Sequence, residues 1–324
     1  MKLAILDDWF DTLKGLPCFA KLDGIDVTVF TDHLTDVDQL AARLKLFDAV
    51  VLFRERTAIT AKLLAQLPNL RLISQRGVYP HVDVEACTAH GVMLCSNQLK
   101  GAPSYAAPEH TWALILAAMR LIPQQMRNMQ EGNWQMGVGK TLFGRTLGLY
   151  GYGRIAKRVE TYAEAFGMSV LWWGSEDGRA RALADGKTVA KSREDFFATP
   201  DIVSVHVRLK PDTRGVITYD DLSAMRKDAL FVNTSRAGLV EQGALLRALD
   251  QGSPAMAALD VFDHEPVTLG SDPLVDHPNV ICTPHIGFVT EDELELQFAD
   301  IFDQVVAFDQ GAPIHVINPE VGLG

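Results

Sequence analysis

The strongest local signal in this sequence is a glycine-rich turn that follows an apolar run of β character, Thr146–Tyr150. The run leads into Gly-x-Gly-x-x-Ala and then into a segment of helical periodicity. Gly151 permits the tight turn, Gly153 lets the backbone approach a pyrophosphate, and Ala156 allows close packing of helix on strand. The phosphates would lie on the free N–H groups at the helix start. Strand, turn and helix occur in the required order, which favours dinucleotide binding over a merely structural turn.

Three further stretches each follow an apolar, β-rich run and each carry one side chain suited to chemistry. They are Asn233–Gly238 with Arg236, Leu259–Pro266 with Glu265, and Thr283–Gly287 with His285. In an open parallel sheet, ligands bind at the carboxyl ends of the strands, so these side chains converge on the edge that carries the glycine turn. Each alone would more often be a structural residue. Three in matched positions predict a functional site.

The sequence leaves the choice between NAD and NADP open. An acid at the end of the second strand normally holds the adenosine ribose hydroxyls. Here the run Val170–Trp173 is followed by glycine, and Glu176 is the nearest carboxylate. Arg179 and Arg181 follow closely, and they are suited to a 2′-phosphate. Because Glu176 is nearer to the strand end, NAD is favoured and NADP stays possible.

Two series of short apolar runs alternate with segments of helical periodicity. The first series comprises strands at Leu3–Leu6, Val27–Phe30, Ala49–Leu52, Leu72–Ser74 and Val92–Cys95, with helices at Val37–Leu46 and Thr60–Leu67. The second comprises strands at Thr146–Tyr150, Val170–Trp173, Ile202–Val205, Leu230–Asn233, Ala257–Leu259 and Val280–Cys282, with helices at Arg154–Phe166 and Gly243–Asp250. Strands separated by helices imply parallel sheets with helices on both faces. The sequence therefore predicts an α/β protein with two doubly wound parallel-sheet domains.

The boundary between the two domains is predicted near residues 101–108. The stretch Gly101–Pro103 interrupts the pattern, and Pro108 is compatible with a helix only in its first turn. Glu109–Met119 then has the pattern of a buried helix that begins a new unit. A last helical segment, Glu291–Gln310, follows the second series, and its periodicity does not show which domain it joins.

Composition and charge exclude several classes of protein. The chain has 324 residues, with 30 Lys+Arg against 41 Asp+Glu and a net charge of −11. An acidic protein is unsuited to sequence-independent binding of nucleic acid or of anionic lipid. No apolar run is long enough to cross a bilayer, and the N-terminus lacks a signal-peptide pattern. The four cysteines lack CxxC or disulfide-framework spacing, and the nine histidines lack metal-site spacing, so a cytoplasmic protein without metal is predicted.

Taken together, the motifs resemble the D-2-hydroxyacid dehydrogenase family over nearly the whole chain. The resemblance rests on the glycine turn and on Asn-Thr-Ser-Arg-Ala-Gly, Leu-Asp-Val-Phe-x-x-Glu-Pro and Thr-Pro-His-Ile-Gly. It implies a flavodoxin-like substrate domain at residues 1–102, completed by 289–324, and a Rossmann dinucleotide-binding domain at 103–288. It also implies an oxidoreductase that transfers a hydride between NAD(P)H and a small 2-oxo acid or D-2-hydroxy acid. The usual assembly of the family is a homodimer held by the cofactor domains.

The resemblance also assigns roles to the matching residues. Arg236 would bind the substrate carboxylate and polarise the C2 carbonyl, and His285 would exchange a proton with its oxygen. Glu265 would accept the other ring N–H, and this carboxylate argues against the related formate dehydrogenases, which carry glutamine there. The remaining matches are cofactor contacts: the backbone amides of Arg154 and Ile155 on the pyrophosphate, Asp260 on the nicotinamide carboxamide, and His206, Thr213 and Thr234 along the cofactor rim.

The sequence departs from the family pattern in the first domain. The stretch Gln75–His81 has one glycine and a proline where the family usually has Gly-x-Gly. Arg76 and Tyr79 either reach into a reshaped substrate pocket or belong to an ordinary surface loop. Arg208 stands where the family usually has proline, a change confined to the cofactor rim.

A second class of protein fits the same residues. Cofactor-sensing transcriptional corepressors of the C-terminal binding protein type resemble this family and retain its catalytic set. The sequence has no long polar or basic segment of the kind such a binding protein would use. An enzyme is therefore the main prediction, and an NAD(H)-sensing protein without turnover is the alternative.

Overall fold

The chain forms two compact units, Met1–Pro103 with Thr290–Gly324, and Ser104–Val289. The computed structural model describes residues 1–98 and 104–322. The boundary stretch Gly101–Pro103 lies outside the described residues.

The first unit is built on a five-stranded parallel sheet with the spatial order β2-β1-β3-β4-β5. Its strands are β1 (Lys2–Ile5), β2 (Asp26–Val29), β3 (Ala49–Val51), β4 (Leu72–Arg76) and β5 (Met93–Asn97). Its helices are α1 (Val37–Leu44), α2 (Ala61–Leu64), α3 (Val84–Ala89) and α12 (Glu291–Asp309), with short 3₁₀ helices at Leu13–Gly15 and Pro17–Leu22.

Both faces of this sheet are covered by helices, because neighbouring side chains of a strand point to opposite faces. Ile73 of β4 packs in a cluster with Leu40 of α1 and Leu63 of α2. The next residue, Ser74, donates to the carbonyl of Ile301 in α12 at 3.0 Å. The last long helix therefore packs on the first sheet, a long-range contact that its periodicity could not show.

The second unit is built on a six-stranded parallel sheet with the spatial order β11-β10-β9-β8-β6-β7. Its strands are β6 (Thr146–Tyr150), β7 (Ser169–Trp173), β8 (Ile202–Val205), β9 (Leu230–Asn233), β10 (Met256–Leu259) and β11 (Val280–Cys282). Its helices are α4 (Ala106–Met119), α5 (Ile122–Gln130), α6 (Arg154–Ala165), α7 (Glu176–Ala184), α8 (Arg193–Ala198), α9 (Tyr219–Ala224), α10 (Ala244–Asp250) and α11 (Pro273–Asp276), with 3₁₀ helices at Pro211–Thr213 and Ala237–Leu239.

Two separate apolar clusters cover the two faces of the second sheet. Val232 packs in one cluster with residues of α4 and α6, including Ile115 and Val159. Phe231, its neighbour in β9, packs in the other cluster with Leu222 of α9. The doubly wound α/β class predicted from the sequence is confirmed.

The predicted strands all form, and most differences lie at their ends. β4 extends to Arg76 and β5 to Asn97, two residues beyond the predicted ends in each case. α4 begins at Ala106, ahead of the predicted start at Glu109. Pro108 is thereby placed in the first turn, where its missing N–H costs no helical hydrogen bond.

Candidate active site

The glycine turn lies directly after β6 and opens α6. The N–H of Gly151 donates to the carbonyl of Trp173 at 2.8 Å, and Gly151 has a φ of +109°. Gly153 is the N-cap of α6 and offers no capping side chain, so the first N–H groups of the helix, at Arg154 and Ile155, have no side-chain acceptor. A helix start of this kind binds an anion through its N–H groups and its dipole.

The space above this turn fits a dinucleotide. A Cβ added at Gly153 would have a single neighbour within 4 Å, the carbonyl oxygen of His206 at 4.0 Å. A Cβ at Gly151 would lie 2.4 Å from the same oxygen. His206 follows β8, which pairs with β6, so this is the point where strand order reverses and where parallel sheets bind ligands.

Tyr152, between the two glycines, anchors the turn to the core. Its ring is buried and packs edge-on against Trp172 with the ring centroids 4.7 Å apart. Its hydroxyl donates to the Asp185 carboxylate, and burial together with that carboxylate raises the pKa of the tyrosine. These contacts hold the backbone of the turn, which would face the pyrophosphate, against the core.

Glu176 does not extend from the end of β7. It lies exposed in the first turn of α7, beside Asp177, after Ser175 has capped that helix by accepting from Gly178 N at 3.2 Å. Arg179 stacks on the Trp173 ring, 4.2 Å from its centroid. The carboxylates thus belong to a helix start and not to the strand end, where the sequence has glycine.

The three predicted catalytic side chains follow three adjacent strands. Arg236 follows β9, Glu265 follows β10 and His285 follows β11, and these strands are neighbours in the sheet. His285 Nδ1 lies 2.6 Å from Glu265 Oε2, and the other oxygen of that carboxylate accepts from Phe262 N at 2.9 Å. A carboxylate can only accept, so it holds the hydrogen on Nδ1 and leaves Nε2 for proton exchange.

The backbone of His285 is in the left-handed region, with a φ of +54°. Asp260 holds the turn: its carboxylate accepts from Ile286 N at 2.9 Å, from Gly287 N at 2.8 Å and from Thr283 Oγ1 at 2.6 Å. Burial by itself would raise the pKa of Asp260, but hydrogen bonds from His110 and Thr283 hold this pKa below its ordinary value. Asp260 therefore stabilises the backbone of this loop through hydrogen bonds, a role that the sequence did not indicate.

The loop that carries Arg236 is held by Asn233, a residue that the motif contains but that the sequence analysis did not single out. The buried Asn233 amide donates to Arg236 O at 2.9 Å and accepts from Ser235 N at 3.0 Å. Arg236 itself is exposed, and its guanidinium donates to Ser235 O at 2.7 Å. A side-chain amide at the end of a strand is the available signal for such a clamp.

The three residues predicted along the cofactor rim have polar partners within the protein. The His206 ring lies 2.9 Å from Ser204 Oγ, and burial lowers the pKa of this histidine to about 4. The Thr213 hydroxyl accepts from Lys210 N at 2.8 Å and so closes its own loop. Thr234 Oγ1 lies 2.7 Å from Thr111 Oγ1 in α4. Their contacts with a cofactor stay a prediction.

In the first unit, the structure places Arg76 and Tyr79 in ordinary structural roles. Arg76 Nε lies 2.9 Å from Asp300 in α12, and the Tyr79 ring packs against the core. Gly77, between them, has a φ of +85°. The interpretation of these two side chains as substrate contacts is therefore not supported.

Arg56, in the charged stretch after β3, is packed among aromatic rings. Its guanidinium lies 4.0 Å from the centroid of Trp9 and 4.2 Å from that of Phe53. It donates to the carbonyl of Asp7 at 2.6 Å. The side chain thus fixes the β1 and β3 loops to each other.

Within residues 1–98 and 104–322, no group of three or more His, Cys, Asp or Glu side chains is placed to hold a metal ion. Over the same residues, no helix combines the length and the apolar character that a membrane span requires.

The fold and this site define a class of protein. The family model for the NAD-binding domain of D-isomer specific 2-hydroxyacid dehydrogenases matches residues 112–287, more than half of the chain. The chain therefore belongs to the D-isomer specific 2-hydroxyacid dehydrogenase family, and its second unit contains the NAD-binding domain of that family. The resemblance inferred from the motifs is confirmed.

Particular relatives extend the likeness beyond that domain. A glyoxylate reductase from Aeropyrum pernix is 37% identical over 275 residues, which cover 81% of each chain. A D-3-phosphoglycerate dehydrogenase from Bacillus subtilis is 33% identical over 299 residues, 90% of this chain and 56% of that one. The chain thus spans about half the length of the curated phosphoglycerate dehydrogenases that it matches.

Two solved structures match this chain over nearly its whole length. A phosphoglycerate oxidoreductase from Vibrio cholerae is 47% identical with a TM-score of 0.91, over 96% of this chain and all of that one. A structure from Ralstonia solanacearum is 44% identical with a TM-score of 0.95, over 99% and 98% of the two chains.

Proposed function

We propose that this protein is an NAD(H)-dependent dehydrogenase that interconverts a small 2-oxo acid and its D-2-hydroxy acid. The observation that carries the proposal is the 2.6 Å hydrogen bond between His285 Nδ1 and Glu265, in loops adjacent to the one that bears Arg236. The family assignment and the glyoxylate reductase and phosphoglycerate dehydrogenase names of its relatives support it.

The proposed chemistry assigns one task to each of these side chains. When bound, the reduced nicotinamide supplies a hydride to C2 of the substrate. Arg236 binds the substrate carboxylate through its planar fork and draws electron density from the carbonyl. His285 Nε2 gives its proton to the carbonyl oxygen, so that one hydride and one proton yield the alcohol. Glu265 accepts the hydrogen bond from Nδ1 and so keeps the ring in the required tautomer.

The same proposal assigns the two units. The first unit, built on β1–β5 and α12, is the substrate domain, and the second, built on β6–β11, is the cofactor domain. The glycine turn and the match of the NAD-binding-domain model to residues 112–287 support the second assignment.

We further propose that NAD(H) is preferred over NADP(H). The carboxylates of Glu176 and Asp177 both lie in the first turn of α7, immediately after the strand whose end faces the ribose in this type of fold. A 2′-phosphate placed there would meet the negative charge of Glu176. Of the two nearby arginines, Arg181 is paired with Asp177 at 3.0 Å and Arg179 is stacked on Trp173.

A panel of 2-oxo acids tests the proposal directly. Purified protein is assayed for oxidation of NADH and of NADPH with glyoxylate, hydroxypyruvate, pyruvate and longer 2-oxo acids, and the product is resolved by chirality. We expect turnover with at least one acid, a D-configured product where C2 is chiral, and a higher kcat/KM with NADH. Binding of NADH without turnover across the whole panel would contradict the proposal and support the cofactor-sensing alternative.

We also propose a homodimer, formed through α5 and the segment 131–144. In this region six large apolar side chains are each more than 40% exposed: Ile122, Met126, Met129, Trp134, Val138 and Phe143. Hydrogen bonds connect α5 to this segment: Gln125 of α5 accepts from Met136 N at 3.2 Å, and Asn128 donates to Trp134 O at 3.1 Å. An apolar surface of this extent favours association, and a second copy offers the matching surface.

Replacing Trp134, which is 77% exposed, with glutamate is expected to convert the dimer to monomers. An unpaired charge buried in an apolar interface costs on the order of 3 kcal/mol. Light scattering after size-exclusion chromatography measures the mass. The matched control is Leu269→Glu, at an exposed leucine of the same unit outside the surface. A wild-type monomer, or a W134E dimer of unchanged affinity, would contradict the assignment.

We propose that the protein is cytoplasmic. The four cysteines are all free thiols, and burial raises the pKa of each to about 12. Free thiols are typical of proteins of a reducing compartment.

A further inference from the structure

The second turn of α4 contacts two of the three loops that carry the proposed catalytic residues. Thr111 is fully buried, and its hydroxyl lies 2.7 Å from Thr234 Oγ1 in the loop after β9. The preceding residue, His110, directs Nε2 towards Thr283 Oγ1 at 2.9 Å and Asp260 Oδ1 at 3.2 Å. Neither His110 nor Thr111 belongs to a motif found in the sequence.

The direction of these hydrogen bonds follows from donor and acceptor counts. A threonine hydroxyl has one hydrogen, and the 2.6 Å contact from Thr283 to the Asp260 carboxylate uses it, because the carboxylate can only accept. Thr283 Oγ1 must therefore accept from His110. This requires a hydrogen on His110 Nε2, as in the neutral Nε2–H tautomer or in the imidazolium, and excludes the neutral Nδ1–H tautomer.

The Asp260 carboxylate also hydrogen-bonds to the backbone around His285, so it connects His110 to that turn. Besides Thr283, it accepts from Ile286 N and Gly287 N, the two amides that follow the left-handed His285. A Cβ added at Gly287 would lie 2.9 Å from Asp260 Oδ2 and 3.5 Å from the His110 ring. The ring and the carboxylate thus form the surface against which the loop is folded.

We propose that His110 is a positioning residue for the proton relay. Its Nε2–H orients Thr283 and Asp260, and these fix the strained turn that directs the His285 ring onto Glu265. The inference rests on the proposed function, in which His285 exchanges the proton. The hydrogen-bonding partners of His110 Nε2 are Thr283 and Asp260, and His110 acts on the relay through them.

A purely structural role for His110 in holding α4 would give a different result. α4 is docked by its apolar face, which includes the buried Trp112, Leu114 and Ile115. The His110 side chain is 17% exposed and lies outside that cluster. Loss of its hydrogen bond should therefore leave the helix in place and release the loop.

The first test separates these roles by kinetics. His110→Phe keeps a flat ring without a donor, and His110→Gln keeps a donor near the position of Nε2. On the best 2-oxo acid, H110F is expected to lower kcat by about 30-fold, since small misplacements of a catalytic group cost on the order of 10- to 100-fold. KM, the Kd for NADH and the unfolding temperature should stay near the wild-type values. H110Q should recover most of kcat, and His90→Phe, at an exposed histidine of the first unit, should change nothing.

The second test does not depend on turnover. Histidine-selective ¹⁵N labelling reports the tautomer of each ring, with the His110 and His285 signals assigned by their absence in H110F and in a His285 variant. We expect a hydrogen on His110 Nε2 in the wild type. In H110F the signature of the His285 Nδ1–H bond to Glu265 should be weakened, and in H110Q it should be restored.

The outcomes of the two tests are distinguishable. A wild-type Nδ1–H tautomer at His110, or an unchanged His285 signal in H110F, would overturn the positioning role whatever the enzyme turns over. Equal loss of kcat in H110F and H110Q with a lowered unfolding temperature would also overturn it. A wild type that turns over no 2-oxo acid, with the NMR results as expected, would refute the proposed function and leave the hydrogen-bond assignment standing.

Discussion

Replacing His285 with glutamine is expected to lower kcat for reduction of the best 2-oxo acid by about 1,000-fold, since general acid catalysis contributes roughly 100- to 10,000-fold. The Kd for NADH should change by less than about threefold, because the glycine turn that would bind the pyrophosphate follows β6 and not β11. Steady-state kinetics and a fluorescence titration with NADH measure the two quantities.

The reason for this large effect lies in what glutamine retains. The amide can still hydrogen-bond to Glu265, so the loop and its 2.6 Å contact have a substitute partner. It has no proton to give at neutral pH, so hydride arriving at C2 would leave an alkoxide without a donor. The loss should therefore appear in kcat and little in substrate binding.

The adjacent His264 provides a matched control. It is exposed, and it precedes Glu265 in the same loop. The same substitution there, His264→Gln, should leave kcat within about twofold, as surface changes usually do. Retention of full activity in H285Q, or an equal loss in both variants, would contradict the assignment of the proton to His285.

Much of this site could be predicted from sequence because its logic is local. Gly151 and Gly153 are recognisable since strand, turn and helix are contiguous in the chain. Arg236, Glu265 and His285 are distant in sequence, yet each directly follows a strand, and parallel strands place their carboxyl ends at one edge. The fold class alone was therefore enough to predict that these three residues lie at one edge of the sheet.

The parts that were missed depend on contacts between distant segments. His110 reaches Thr283 across 173 positions, and Arg76 pairs with Asp300 of α12. Neither pairing produces a recognisable pattern in the sequence. The sequence therefore could not distinguish Arg76 from a substrate contact, and it gave no reason to single out His110. Glu176 is the nearest carboxylate to the end of β7 in the sequence, but its place in the first turn of α7 depends on where Ser175 caps that helix.

The two glycines of the turn should respond to alanine in opposite ways. Gly153 has a φ of −107°, which any residue can adopt, and its added Cβ would meet no protein atom closer than 4.0 Å. We expect Gly153→Ala to fold with an unchanged unfolding temperature. The methyl group would instead occupy the space next to the pyrophosphate, and the Kd for NADH should rise by about 30-fold, or roughly 2 kcal/mol.

Gly151→Ala should instead destabilise the protein itself. Gly151 has a φ of +109°, and its Cβ would lie 2.4 Å from the carbonyl oxygen of His206 and 2.8 Å from Val207 Cγ2. Backbone strain and the clash together should lower the free energy of unfolding by about 2–4 kcal/mol. Thermal unfolding and NADH titration of both variants give the comparison. If G153A unfolded early and G151A did not, the clash assigned to Gly151 would be wrong. If G153A bound NADH as tightly as the wild type, the glycine turn would not be the pyrophosphate site.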